Sequence, residues 1–146
     1  MRITFKGDYA MKAILDLAMH EGEGPIQIHD LAKRINAPLK FFEQVLLDLK
    51  RGGFVESRRG KEGGYLLAKD PADITVGDVA RFIDGPIEPI ACLADDYANC
   101  TDMYRCSLRA VWQRVAQATS AIIDHVSFAE LAQQTKARRD ALEYTI

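Results

Sequence analysis

The chain has 146 residues, 48% of them hydrophobic, and a formal net charge of −2, which suits one domain or one domain plus an appendage around a single core. No apolar run approaches the roughly 20 residues of a membrane span, and Met1-Arg2-Ile3-Thr4-Phe5-Lys6 lacks the apolar stretch of a secretory signal, so the expectation is a cytoplasmic protein with no membrane partner. Residues 1–68 hold 11 Lys and Arg against 9 Asp and Glu, and residues 69–146 hold 8 against 12; this excludes a protein basic throughout but leaves a cationic excess at Lys50, Arg51, Arg58, Arg59 and Lys61, where nucleic acid can be met.

Tyr9, Ala10, Ala13, Ile14, Leu17 and Ala18 recur at helical spacing and predict a first helix over Gly7–His20, with Lys12 and Asp16 on its wet side. Gly22, Gly24 and Pro25 end it. His29–Ile35 makes a two-turn helix that Asn36-Ala37-Pro38 interrupts, and a third helix follows from Leu39 to Lys50 on the stripe Phe42, Leu46 and Leu49. A short helix, a tight break and a second helix with a polar first turn is the helix-turn-helix plan. Gly52-Gly53 stops the third helix, and Phe54–Arg58 and Gly64–Ala68 read as two strands joined by the basic, glycine-rich tip Arg59-Gly60-Lys61-Glu62-Gly63. A hairpin in that position is a wing.

Thr75-Val76-Gly77-Asp78 has the form of a capping box, opening a helix that turns Val79, Phe82 and Ile83 inward until Gly85-Pro86 closes it. Ile87 to Arg105 shows no sustained periodicity and is long for a structureless loop, so something must order it. From Ser107 to Val126 the apolar residues Leu108, Val111, Trp112, Val115, Thr119, Ile122, Ile123 and Val126 keep a 3–4 spacing. That stripe is too wide for the small N-terminal domain alone to cover, and a matching helix from a second subunit is the simplest partner, with packing on the chain's own first helix as the alternative or complement. Ser127-Phe128-Ala129-Glu130 caps a short last helix at Leu131. The whole is mainly α with a small β-hairpin wing: a winged helix-turn-helix domain over 1–70, a loop and dimerisation helices over 71–134, and a charged, mobile tail over 135–146.

All three cysteines fall in the aperiodic loop, spaced C-x7-C-x5-C at Cys92, Cys100 and Cys106. Clustered thiols in a reducing compartment point to a soft metal centre or a redox group rather than a disulfide framework. Zinc favours tighter C-x2–4-C pairs, so an iron–sulfur cluster is the preferred occupant, with three metal-free thiols as the alternative. No nucleotide-binding glycine loop or nucleophile–base constellation is present, so a small cluster-dependent oxidoreductase is the weaker reading and an enzyme is not expected. For DNA, the third helix offers Pro38, Leu39 and Lys40 at its entrance and Glu43 and Gln44 on its exposed face. Glu43 and Gln44 can meet base edges in the major groove of operator DNA, Arg59 at the wing tip can enter a narrow minor groove, and Arg58 and Lys61 add cations for phosphates.

These stretches together resemble the Rrf-two (Rrf2) family of winged-helix regulators, with its IscR-like and NsrR-like members, over about residues 1–132. The likeness is carried by Met1-Arg2-Ile3-Thr4 running into Tyr9-Ala10, by Phe42-Glu43-Gln44-Val45-Leu46, by the wing Arg58–Tyr65, by Ile74–Val79 and by Leu108-Arg109-Ala110-Val111-Trp112. The resemblance implies a homodimer built through the long helix, DNA binding by the third helix and wing, and a cluster, [2Fe–2S] or [4Fe–4S], on Cys92, Cys100 and Cys106. Two departures matter. The family commonly spaces its first two cysteines five apart where seven residues intervene here, and Arg109 stands where IscR-like members carry a histidine ligand. The likeness to NsrR-like members instead implies Asp8 of a partner subunit as the fourth ligand.

Overall fold

The computed structural model describes residues 2–145. Met1, the first residue of the N-terminal motif, and Ile146, the last of the expected tail, lie outside the described residues. Six α-helices and one antiparallel hairpin follow in order: α1 (Phe5–Met19), α2 (Ile28–Ile35), α3 (Leu39–Arg51), β1 (Val55–Arg58), β2 (Gly64–Leu67), α4 (Val76–Asp84), α5 (Ser107–Ile123) and α6 (Phe128–Glu143), with single 3-10 turns at Pro71–Asp73 and Ala91–Leu93.

Helix α1 begins earlier than its apolar spacing predicts, because Thr4 caps it: the hydroxyl accepts from the Gly7 N–H and satisfies one of the orphan donors of the first turn. It is the central helix, packed against α2, α3, α4, α6 and β2. Ala10, Ala13, Ile14 and Leu17 on its inner face meet Leu31, Phe42, Leu46 and Phe128 in one core. Asp16, expected on the wet side, is only 7% exposed. The cost of burying its charge is met by Arg34 of α2, whose Nη2 donates to Oδ2 at 2.7 Å, so the first two helices are joined by a paired charge as well as by packing.

Asn36 ends α2 in the left-handed conformation (φ 54°), which asparagine tolerates, and Pro38 opens α3 two residues later. The hairpin pairs Val55 with Leu67 and Arg58 with Gly64. It is docked on the helix-turn-helix by a further bridge in which Ile26 and Tyr65 exchange N–H···O bonds of 2.9 and 2.8 Å. Gly64 permits this approach: its φ is +144° and a Cβ there would lie 2.4 Å from the Ile26 carbonyl oxygen.

Both capping boxes are present, at Thr75 with Asp78 and at Ser127 with Glu130. Of the residues expected to turn inward from α4, Val79 is buried but Phe82 stays 44% exposed, resting edge-to-face on Phe54 at 5.4 Å. Helix α5 stops at Ile123 rather than Val126, and none of its residues is buried. Its apolar side, Leu108 (67% exposed), Val111, Trp112, Val115 and Ile122, is bare. The last helix is not short. It runs to Glu143, since Lys136-Ala137-Arg138-Arg139 and Ala141-Leu142-Glu143 are good helix formers whatever their charge. Among the described residues, no helix is long and apolar enough to cross a membrane.

Candidate nucleic-acid interface and cysteine loop

Helix α3 buries Phe42, Val45, Leu46 and Leu49, and that leaves Lys40, Glu43, Gln44 and Leu47 on the opposite, exposed face. Pro38 is exposed at its N-cap. Leu39 is half-buried against the core and so supports the entrance of the helix more than it presents itself. The wing residues Arg58, Arg59 and Lys61 are all exposed; Arg58 has a long 3.5 Å pair with Glu56. Two contacts fix the wing beside the helices. Gln27 donates to the Lys61 carbonyl at 3.3 Å, and Lys50 at the end of α3 donates to Ser57 of β1 at 2.6 Å. The exposed helix face and the cationic hairpin therefore stand side by side, with Glu43 and Gln44 as acceptors on the helix and cations on the wing.

Beneath the exposed face sits Asp48, half-buried. Its carboxylate takes the ammonium of Lys6 from α1, Arg51 Nη1 at 3.2 Å and Gln44 Nε2 at 3.3 Å. The Lys6 hydrogen bond above all holds its carboxyl below the usual carboxylate range. A second such anchor joins α4 to α5: Arg81 donates to both oxygens of Asp124 and, at 3.0 Å, to the Ser120 hydroxyl. That hydrogen bond lowers the Asp124 carboxyl and raises the Arg81 guanidinium from their ordinary values. Neither pair was foreseeable from local pattern, because each joins residues some forty positions apart.

The three cysteines are free and half-buried. Cys92 lies in the Ala91–Leu93 turn, Cys100 in the loop beyond it, and Cys106 at the N-cap of α5. Arg109 occupies the turn of α5 just above and donates from Nε to the Cys92 carbonyl at 3.4 Å, so the residue that departs from the IscR-like pattern ties the loop to the helix. Asp8 is half-buried in the first turn of α1 and paired with Lys12 at 2.6 Å. It lines a hollow with Arg2, Ile3, Thr4 and Phe5. In kind, the donors fit an iron–sulfur cluster: three soft thiols, none in a disulfide, on one loop. In placement they are incomplete, for among the described residues no three His, Cys, Asp or Glu side chains stand together as a metal site.

The family model described as iron-dependent transcriptional regulator, Rrf2, matches residues 3–134. The chain belongs to the Rrf2 family. Among its relatives, the HTH-type transcriptional regulator IscR of Serratia proteamaculans is 36% identical over 131 residues, covering 90% of this chain and 79% of that one. Among solved structures, CymR, the global cysteine regulator of B. subtilis, superposes with a TM-score of 0.78 at 31% identity over 92% of this chain and 98% of its own. IscR of T. potens gives 0.72 at 30%, over 92% and 88%. The six helices and the hairpin of this Rrf2 protein are the winged-helix arrangement of those regulators, and its role is transcription regulation.

Proposed function

We propose that this Rrf2 regulator binds operator DNA as a homodimer, and that an iron–sulfur cluster held by Cys92, Cys100 and Cys106, with Asp8 of the partner subunit as fourth ligand, sets its affinity. The observation that carries the DNA part is the exposed face Lys40, Glu43 and Gln44 of α3 held by hydrogen bonds beside an exposed cationic wing. In that reading, Glu43 and Gln44 meet base edges, Lys40 and Pro38 lie against the backbone at the helix entrance, and Arg58, Arg59 and Lys61 hold phosphates or enter the minor groove.

The bare apolar side of α5 supports the dimer. The sensing part rests on the thiols. When bound, a cluster supplies a centre whose redox state or loss changes the charge and the order of the loop. The chain's own residues carry that change onward. Arg109 links the Cys92 backbone to α5, Asp124 links α5 to α4, and Lys12 pairs Asp8 whenever that carboxylate is not otherwise engaged. A dimer reads two half-sites about 34 Å apart or a multiple of that, so a modest change in the tilt of α5 costs affinity, and by linkage DNA acts back equally on the sensor.

A second reading keeps the fold and the DNA but dispenses with the cluster, leaving Cys92, Cys100 or Cys106 to respond as thiols to oxidants or a sulfur metabolite. It is favoured by the ungathered placement of the three cysteines and by the similarity to a cysteine regulator. Anaerobic absorption spectra with iron and sulfide content separate the two. Visible absorption with matching iron and sulfide, lost in Cys100→Ala and weakened in Asp8→Ala, is the expected result. A colourless, iron-free protein that still binds duplex DNA establishes the second reading.

A further inference from the structure

Gln44 is the residue of the α3 face with the most to gain from being held, because an amide presents an acceptor at one end and a donor at the other. A free glutamine turns either end to a base edge and discriminates little. Here its neighbour one turn on is Asp48, whose side chain is 16% exposed and which receives Gln44 Nε2 at 3.3 Å through Oδ1. Asp48 is not free to follow the amide. Lys6 of α1 holds its other oxygen and Arg51 shares the first, so the acceptor is fixed from two elements. Turning the amide round would set the Gln44 carbonyl oxygen against a carboxylate that Lys6 keeps ionised.

We propose that Asp48 is a specificity-determining positioning residue: by taking one amide proton it makes Gln44 offer its carbonyl oxygen, with its second N–H alongside, to the major groove. The proposal rests on the reading that α3 enters the groove of operator DNA. In this orientation the oxygen accepts from the amino group of adenine or cytosine, and the remaining N–H reaches adenine N7. Guanine is rejected, since its O6 would face the amide oxygen with no proton between them. Glu43, acceptor-only when ionised, extends the same demand to a neighbouring base. The discrimination comes from repulsion of the wrong base as much as from attraction to the right one.

The test is selection of operators from randomised duplexes by the full-length protein, purified anaerobically, followed by competition binding at one salt concentration. The wild type should select adenine or cytosine at one position of each half-site and disfavour guanine there by roughly tenfold. Asp48→Ala should lose that preference at the one position while the others keep theirs, and Asp48→Asn, whose single oxygen cannot serve Lys6 and Gln44 together, should lose part of it. Gln44→Ala leaves the Lys6 pair intact and should relax the same position, after which Asp48→Ala adds nothing there. Unchanged base preference in Asp48→Ala, or an equal loss at every position, overturns the positioning role while leaving operator binding in place. A wild type that selects no sequence at all overturns operator recognition itself and this inference with it.

Discussion

Asp124 is ionised in the folded chain because Arg81 donates to both its oxygens, and the consequence is a pH dependence with a definite sign. Its folded carboxyl lies below the ordinary value, which in an unfolded chain is about 3.9. The unfolded state therefore takes up a proton first, and the stability contributed by the pair is complete above that value and lost as pH falls through the depressed one. Asp48 adds in the same direction. Thermal midpoints measured from pH 7 to pH 3 should fall below about pH 4, and Asp124→Asn should flatten that fall. Both partners are more than a third exposed, so the neutral-pH cost should stay within about 1 kcal/mol. An identical pH slope in the variant would show that the pair carries none of it. Gly64 makes a sharper demand. Any Cβ there meets the Ile26 carbonyl, so Gly64→Ala should cost about 2 kcal/mol in urea unfolding and weaken DNA binding through an undocked wing, with helix content by circular dichroism retained.

At the scale of elements, what could be known beforehand divides by range. The helix-turn-helix, the hairpin and the stripe of α5 were legible because a 3.6- or 2-residue period is written in neighbouring residues. So were the caps at Thr75 and Ser127. The Thr4 cap was not, since the apolar pattern starts further in, and the length of α6 is hidden because a charged stretch resembles a tail, although Arg, Lys, Ala and Glu are also strong helix formers. The burial of Asp16 escaped for the same kind of reason: a carboxylate reads as solvated until its arginine, on another helix, is known. The charges that lock α1 to α3 and α4 to α5 join Lys6 to Asp48 and Arg81 to Asp124, and no local pattern chooses among the many distant pairs of opposite charge. In the cysteine loop the spacing put three thiols on one segment of chain. It did not show that Arg109 would clasp the Cys92 backbone.

For the whole molecule, the feature with the longest reach is the bare side of α5, a helix of 17 residues without one buried side chain. An amphipathic helix normally turns an apolar stripe into its own core; in the proposed homodimer that cover comes from the second copy. In that dimer, folding becomes a reaction of mass action rather than a property of one chain, and the thermometer reads concentration. Tenfold dilution should lower the unfolding midpoint by a few degrees, and Trp112→Glu combined with Val115→Glu should abolish that dependence, sedimenting as a monomer and melting earlier at every concentration. A midpoint in the parent protein that ignores dilution would show that the two-chain state is not what holds α5. If it does depend on dilution, the copy number of the regulator in a cell helps to decide how much of it is folded, before any signal reaches the cysteines.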